Sequence, residues 1–395
     1  MSACEISILE DLDAIRALER EWQELSAAAA EANVFFEDWM LIPALEHLRG
    51  KERVRLVVAR VSGKLAGLFP AEQRSAYKKL PLSHMRIWQH KHCFLCTPLI
   101  HREHVEPVVA AFCDWVARAP GVPRLMLWNW IAGDGPVHAA IRQEVRRRGW
   151  KTSDEGFARS VLVPGSAEAR VDSEAYLESV LSGGHRRDLR RLERRLAETG
   201  AFSYTTVTQE QELSGWIAEF LELEASGWKG RQKTALSCCE KDQAFFDRCV
   251  REAFRRGKLT TLEARLEGRP IASRCNFTSG DEAFSFKIAF DEKHSKSRPG
   301  LLLEVEHVRR AFASSLAKVD YCADPGHPML DRMSTARKPI TTIAMASRLL
   351  IEGLVLRLVP HAENIRCRLA RLRKGAPEPS RKPDAHAPEA PSKSA

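Results

Sequence analysis

The alternation of apolar and polar residues predicts one stretch that combines a strand, a basic loop and a helix. From Phe284 to Phe290 every second residue is apolar, which is the period of a strand with one buried face. A polar loop follows over residues 291–298, and Pro299-Gly300 then begins an amphipathic helix. Free backbone N–H groups and the helix dipole at such a start favour a phosphate group. An ordinary strand–turn–helix with a solvated loop is the alternative interpretation.

Two similar β-hairpin patterns lie far apart in the chain. Residues 59–67 and 264–273 share the order Ala-Arg-apolar-x-Gly-basic. Helical patterns precede each hairpin, and a strand and a helix follow it, so the order of elements favours an internal duplication over a chance similarity. The sequence therefore predicts two related α/β domains, joined by a linker at Pro164-Gly165-Ser166.

The same pattern divides the chain into four parts. We expect an N-terminal domain over residues 1–165 and a C-terminal domain over residues 166–345. An apolar and basic zone begins at Ile340, and residues 346–375 are expected to form a basic amphipathic helical segment that either docks on the domain or lies on an anionic bilayer. Residues 376–395 are rich in Pro, Ala, Ser and charge and are expected to be disordered.

Composition narrows the class of protein. The chain has 395 residues, 44% of them hydrophobic and 29% charged, as in globular proteins that bury a core. A net charge of +9 indicates an anionic partner, such as a phosphorylated cofactor, a nucleic acid or an anionic membrane. Ten scattered cysteines favour reduced thiols in the cytoplasm. An acidic N-terminus without an apolar run predicts no secretory signal, and we expect a cytoplasmic protein that is either soluble or peripheral on the inner face of the membrane.

A metal site is one interpretation of the histidines and cysteines near position 95. Cys93-x-x-Cys96, followed by His101 and His104, has the outline of a zinc knuckle. The apolar residues between and after the cysteines favour a strand instead. We therefore predict no metal site.

A strongly basic helix is predicted over residues 185–196. Leu189, Leu192 and Leu196 share one face of it, and arginines occupy the other faces. These arginines either form a solvated surface or contact phosphates or lipid headgroups.

With these residues assembled, the second half resembles the acyl-CoA N-acyltransferase superfamily of GNAT type. Within it the chain looks closest to the branch of FemAB-like and cellulose-biosynthesis-associated acetyltransferases, including bacterial ceramide synthases. The resemblance lies in residues 185–196, 223–230, 284–302 and 320–331. The first half fits the family more loosely, as the degenerate domain of a tandem pair. One departure is Leu302, which stands where the phosphate loop of the superfamily has Gly or Ala.

The resemblance implies a mixed α+β fold of tandem GNAT-like domains, each a central mixed sheet flanked by helices. It also implies acyl-CoA as co-substrate, no permanently bound cofactor, and an amine acceptor. The positions that match the coenzyme site of the family are Phe286, Ile288, Lys296, Ser297, Arg298, Gly300 and Leu301.

N-acylation needs a neutral amine, so a base is expected near the acceptor. An alkyl amine resembles lysine, with a pKa of about 10.4, and its deprotonation at pH 7 costs about 4–5 kcal/mol. Asp324 and His327, in a Pro/Gly-rich turn after a predicted strand, are the first candidates for catalysis. Glu224 and Lys229 are the second candidates. Alternatively, His327 makes only local hydrogen bonds within its turn, and Lys229 is only a surface charge.

Residues that would contact the acceptor are Arg187, Arg191 and Trp228, the last of which could equally be a core anchor. The best candidate reaction is acylation of a sphingoid base, which gives a ceramide-type lipid. Acylation of a cell-envelope sugar amine is an alternative, as is FemAB-like aminoacyl transfer from tRNA, the one interpretation that involves a nucleic acid. A non-enzymatic scaffold for polysaccharide assembly is a further alternative.

Overall fold

The computed structural model describes residues 4–165 and 172–347, together with 352, 353, 355 and 356. The predicted tail 376–395, most of the predicted segment 346–375, and residues 166–171, which include Ser166 of the predicted linker, lie outside the described residues. The strands are β1 Cys4–Leu9, β2 Val54–Val61, β3 Lys64–Arg74, β4 His84–Ile87, β5 Leu99–Ile100, β6 Leu125–Ala132, β7 Lys151–Leu162, β8 Phe202–Thr205, β9 Leu259–Leu266, β10 Arg269–Ser279, β11 Glu282–Phe290, β12 Lys318–Asp320 and β13 Ala336–Ala346. The helices are α1 Leu12–Arg16, α2 Glu19–Ala28, α3 Asp38–His47, α4 Val105–Arg118, α5 Pro136–Arg148, α6 Ser173–Val180, α7 Gly183–Thr199, α8 Glu210–Ser226, α9 Trp228–Arg231, α10 Glu240–Arg255, α11 Pro299–Ala313 and α12 Leu330–Met333. Three short 3₁₀ helices cover Val34–Phe36, Leu236–Cys238 and Glu292–Ser297.

The two halves of the chain repeat one order of elements. Each half, from β1 to β7 and from β8 to β13, follows the same order. It begins with a strand and a group of helices, continues with three strands, a helix and a strand, and ends with a second helix and a last strand. The first half adds the short strand β5, and α6 and α7 precede β8 in the second. The mixed α/β fold and its repetition were expected from the sequence and are confirmed.

The hairpins that suggested this repeat are built alike in detail. Both two-residue turns have positive φ angles, 51° and 79° at Ser62-Gly63 and 50° and 75° at Glu267-Gly268, as a tight hairpin of this type requires. In the first half Arg60 bonds both Glu21 and the carbonyl of Gly63. In the second half Arg265 bonds both Glu219 and the carbonyl of Gly268. The shared pattern in the sequence therefore marks equivalent positions in the fold.

All strands but β5 form one continuous path through a single sheet, in the order β1-β2-β3-β4-β6-β13-β7-β12-β11-β10-β9-β8. The last strand of each half is exchanged: β7 pairs antiparallel with β12 of the second half, and β13 pairs antiparallel with β6 of the first. β7 and β13 also pair with each other over all 11 residues of β13. The halves consequently share backbone hydrogen bonds at their junction.

Side chains reinforce this junction. The main hydrophobic core contains buried residues of both halves, and Trp39 packs edge-on against Phe277 at 5.2 Å between ring centroids. Two neighbouring ion pairs join the same surfaces: Asp38 with Arg256 at 2.8 Å, and Glu37 with Lys258. The second half has a further core under α6, α7 and α11 on the opposite face of the sheet.

The structure differs from the sequence-based expectation in several elements. Residues from Ile340 to Ala346 belong to strand β13, not to a helical zone, because they are enclosed between β6 and β7. Strands β1 and β4 were not predicted. The helical pattern that precedes the first hairpin includes two separate short helices, α1 and α2.

Little of the predicted basic segment is described. Within it, Leu356 is buried beside Tyr77 and Ala346. Across the ranges given above, none of the helices combines the length and apolar character needed to cross a bilayer.

The buried ion pair between Arg159 of β7 and Asp320 of β12 should be a major stabilising contact at the junction. Their atoms lie 2.6 Å apart, and both side chains are at most 2% exposed. Burial alone would raise the pKa of Asp320, but the charges of Arg159 and Lys338 hold it below its ordinary value. Because breaking such a pair leaves a buried charge uncompensated, we expect Asp320→Asn to lower the free energy of unfolding by about 3–5 kcal/mol at pH 7.

Urea unfolding of Glu24→Gln gives the matched control, since Glu24 pairs with Arg20 at 3.6 Å on the surface and should contribute about 0–1 kcal/mol. A depressed pKa stabilises the fold above the ordinary pKa of aspartate and loses that effect as the pH falls through the depressed value. The difference between wild type and Asp320→Asn should therefore shrink in acid. Equal losses for both variants at pH 7 would contradict the assignment.

Candidate active site

A cavity of about 750 Å³ opens where β11 and β12 stop pairing. These parallel strands are hydrogen-bonded only as far as Phe284 and Asp320. The residues that follow, 285–288 on one side and 321–324 on the other, line the cavity walls. Ligands of α/β proteins commonly bind beyond the carboxyl ends of parallel strands. The cavity occupies such a position.

A β-bulge shapes the β11 wall. Cys275 and Asn276 of β10 pair with Lys287 and Ser285, which leaves Phe286 as the extra residue. Because a bulge reverses the side to which later side chains point, the apolar alternation predicted up to Phe290 does not continue on one face. Phe290 is 37% exposed, whereas Phe286 is buried.

The first half supplies the opposite wall but does not keep an equivalent opening of its own. Its parallel pair, β4 and β6, is hydrogen-bonded at only two positions. The segment after β4 then runs along the end of β6: the N–H of Cys96 donates to the carbonyl of Trp130 at 2.9 Å, and the N–H of Ala132 donates to Thr97 Oγ1 at 2.9 Å. The chain itself therefore fills this part of the first half.

A buried polar network lies beside the cavity. Glu304 of α11 forms an ion pair with Arg274 and accepts a hydrogen bond from the Tyr321 hydroxyl at 2.7 Å. His307 contacts Glu304 at 3.3 Å, and its other nitrogen lies 3.0 Å from the amide of Asn276. Burial, with Glu304 nearby, raises the pKa of Tyr321 well above its ordinary value, so the hydroxyl keeps its proton and donates it. The network fixes β10, α11 and the end of β12 relative to one another.

Asp324, His327 and Trp228, which were predicted as site residues, line this cavity. Asp324 and His327 are exposed in the turn after β12. His327 Nδ1 accepts the backbone N–H of Leu330 at 3.3 Å. In a neutral ring this leaves the proton on Nε2, so His327 has no free lone pair facing away from the backbone.

Lys229 also lines the cavity, whereas Glu224 lies behind it. The Glu224 carboxylate accepts from Lys229 Nζ at 2.9 Å and from the N–H of Leu236 at 2.8 Å, and its side chain has no exposed area. Lys229 Nζ donates to the carbonyl of Ile288 as well, at 2.9 Å. Glu224 thus orients Lys229 and α9 and does not face the cavity.

The residues predicted to bind the coenzyme fall into two groups. Phe286 and Ile288 line the cavity. Lys296, Ser297, Arg298, Gly300 and Leu301 form the loop and first turn of α11, outside the cavity lining. Arg298 has φ 49° and ψ 52° at the start of the helix and pairs with Asp188 of α7 at 3.2 Å.

Helix α7 therefore adjoins the loop that precedes α11. Arg191 of this helix is held by Asp188 at 2.5 Å, and Arg187 is exposed. Neither belongs to the cavity lining.

Sequence reasoning missed the contribution of the first half. His90, Lys91, Phe94 and Trp130 line the cavity, although none of them was predicted as a residue of the acyl-transfer site. Burial lowers the pKa of His90 to about 3, so its imidazole is neutral near pH 7. The left-handed backbone of Trp130, with φ 49°, sits at a bulge where β6 meets β13 and has no signature in the sequence.

The second half also contributes lining residues that were not predicted. These are Arg274, Ser285, Lys287, Tyr321, Cys322, Ala323, Met329 and Leu330. From the first half, Phe157 and Arg159 of β7 also line the cavity. Lys287 lies directly beside the predicted Phe286 and Ile288 in the sequence. A basic residue in an apolar strand was the available signal for it.

The cysteines and histidines considered for zinc do not gather into one site. Cys93 and Cys96 are buried with their sulfur atoms 3.8 Å apart. Among the described residues, the potential metal ligands that lie within 4.8 Å of one another are His101, Glu103 and His104, at a separate turn.

Comparison with protein families matches the part of the chain that forms one side of the cavity. Residues 183–327 match the model of the acetyltransferase (GNAT) domain. The match includes α7, β11, the start of α11, β12 and the turn that carries Asp324 and His327. This part of the chain is accordingly similar to acetyltransferases of GNAT type. No curated protein matches its sequence.

Solved structures share the fold over most of the chain. FemX is 9% identical, with a TM-score of 0.53 and coverage of 86% of this chain and 98% of its own. A protein of unknown function from Bacteroides thetaiotaomicron is 11% identical, with a TM-score of 0.51 and coverage of 87% and 100%. The C-terminal domain of a candidate lysylphosphatidylglycerol synthetase from Agrobacterium fabrum is 14% identical, with a TM-score of 0.51 and coverage of 85% and 96%. At these identities the similarity is one of fold.

Proposed function

We propose that the chain transfers an acyl group from a coenzyme A thioester to a primary amine in the cavity between β11 and β12. The main support is that the wall of this cavity formed by β11, its bulge and the end of β12 belongs to the region that matches the GNAT domain. A long-chain amine of the sphingoid type, which would give a ceramide-type lipid, is the best candidate acceptor. Peripheral contact with a membrane is part of this proposal.

The donor would approach from the start of α11. Lys296 and Arg298 offer charge to the phosphates of coenzyme A, and the helix dipole and the N–H of Gly300 at the start of α11 favour the same groups. Beyond Phe284 no strand among the described residues pairs with the edge of β11 that faces β12, so backbone groups there can bond the pantetheine amides. The thioester then lies beside the bulge at Phe286.

The reaction requires the amine nitrogen to attack the thioester carbonyl while its proton passes to a base. The nitrogen–carbon bond forms, the carbon–sulfur bond breaks, and the thiolate of coenzyme A leaves and takes up a proton. Asp324 is the better placed base, since its side chain makes no hydrogen bond or ion pair with any described residue. His327 would first have to release the N–H of Leu330.

The choice of acceptor rests on the lining of the cavity. Phe94, Trp130, Phe157 and Met329 give it a substantial apolar surface, which suits an alkyl chain. A cell-envelope sugar amine is the second candidate, because charged side chains also line the walls. FemX and the lysylphosphatidylglycerol synthetase candidate share the fold, so aminoacyl transfer from tRNA is kept as a third.

Coenzyme A should bind once per chain, because the corresponding part of the first half is filled by residues 93–97. Isothermal titration with coenzyme A and palmitoyl-CoA measures the stoichiometry. We expect Lys296→Glu to weaken binding about 10-fold, since it reverses a charge beside the phosphates. Lys64→Glu, at the exposed first residue of β3, is the control. Two sites per chain, or an unchanged affinity in Lys296→Glu, would contradict the assignment.

Lipid profiling after deletion of the gene tests the acceptor. Loss of N-acylated long-chain bases, restored by the wild-type gene, is the expected result. Unchanged lipids with a loss of acylated envelope sugars would move the assignment to the second acceptor. A loss of aminoacylated products would favour transfer from tRNA.

Asp324→Asn should lower turnover about 100-fold or more, the usual effect of removing a general base. The melting temperature should stay near that of wild type, because the side chain is exposed. His327→Ala tests the other candidate in the same assay of thiol release from palmitoyl-CoA. Turnover near wild type in either variant would show that the replaced residue is not the base.

A further inference from the structure

Nearly every basic side chain in the cavity wall is already neutralised by a carboxylate. The pairs are Arg74 with Glu52 and Glu72, Arg86 with Glu72, Lys91 with Asp242, Arg159 with Asp320, Lys229 with Glu224, and Arg274 with Glu304. In most of them the carboxylate lies behind the wall and the cation faces the cavity. The paired carboxylate offsets the attraction of each such cation for an anionic ligand.

Lys287 differs from these cations. It is partly buried on β11, next to the bulge, and its side chain makes no hydrogen bond or ion pair with any residue in the described ranges. Its Nζ lies 5.9 Å from the centre of the Phe286 ring. The carboxylates whose charge reaches it, Glu224 and Asp242, are occupied by Lys229 and Lys91. Burial lowers its pKa, as expected for a cation without a close counter-charge.

Asp324 differs from the other acidic side chains of the wall in the same way. Glu52 bonds Arg74, whereas the Asp324 carboxylate has no hydrogen-bond or ion-pair partner in the part of the chain that the structure describes. The cavity thus presents one uncommitted cation and one uncommitted anion, on β11 and on the turn after β12.

We propose that the acceptor is an amine that also carries an oxyanion, a carboxylate or a phosphate, and that Lys287 binds this oxyanion while Asp324 receives the amine. The inference rests on the proposed function and narrows its acceptor class. A long-chain base would satisfy it as the phosphate ester, and an envelope sugar amine as a sugar phosphate. A neutral long-chain base would engage Asp324 alone.

The physical reason is the cost of an unpaired charge in a partly dry site. A partly buried ammonium loses hydration without gaining a counter-charge, and a bound oxyanion supplies both charge and acceptors. The apolar part of the cavity binds any alkyl chain of suitable length, whereas a charge pair discriminates between acceptors. Lys287 is therefore a determinant of specificity rather than of general affinity.

The phosphates of coenzyme A are the competing occupants of this charge. The loop and first turn of α11, where we place them, lie outside the cavity lining, whereas Lys287 lies within it. Measuring donor and acceptor affinities separately distinguishes the two.

The test uses the full chain saturated with coenzyme A and three short-chain acceptors of equal length. These are an amino alcohol, its phosphate ester, and the corresponding amino acid. For wild type we expect at least one of the two anionic acceptors to bind about 10-fold or more tightly than the amino alcohol in isothermal titration. Lys287→Met should abolish this preference and leave the affinity for the amino alcohol unchanged. Lys64→Met should behave as wild type.

Lys287→Gln is the second variant, and a thermal melt of each variant shows that it is folded. Preference for the phosphate ester identifies a phosphorylated amine, and preference for the amino acid a carboxylate; either supports the proposal if Lys287→Met removes it. Equal affinity of wild type for all three acceptors overturns the proposal. It is also overturned if Lys287→Met lowers the affinity for coenzyme A but not the affinity for the anionic acceptor. If neutral amines are then acylated, the proposed function stands without this inference, whereas no acylation of any amine overturns the function itself.

Discussion

The antiparallel pairing of β7 with β13 is the contact on which the rest of the structure depends. Each of these strands ends one half of the chain and lies against the other half, so neither half can complete its sheet alone. Backbone hydrogen bonds run along all 11 residues of β13. Buried backbone groups must be paired, and separating the halves would leave a row of them without partners.

The cavity follows from this exchange. β12 is only three residues long, and β7 supports it on the side away from β11. Arg159 of β7 and Lys338 of β13 both contact Asp320 at the end of β12, at 2.6 and 3.3 Å. The point where β12 leaves β11 is thus held by residues from both exchanged strands. A site at that point combines groups from the whole chain.

The two halves share a plan but have diverged in use. Equivalent hairpins keep equivalent arginine contacts, which are structural. At the strand ends the halves differ, because residues 93–97 fill the first half while the second half stays open. The first half forms one wall of the cavity of the second half, and the segment after β4 contributes Lys91 and Phe94 to it. This asymmetry is consistent with a single transfer site in a repeated fold.

The sequence alone determined the local elements and the repeat. The period of apolar residues located most helices and the two hairpins, and Pro299-Gly300 marked the start of α11, because these signals act through nearest neighbours along the chain. It also singled out the turn of Asp324 and His327 beside the cavity. The exchange of β7 and β13, the bulge at Phe286 and the pairing of Glu224 with Lys229 were decided by tertiary structure. Each of these features depends on residues that are far apart in the chain. Only their packing in the folded protein decides which buried charges are paired and which, like Lys287, are not.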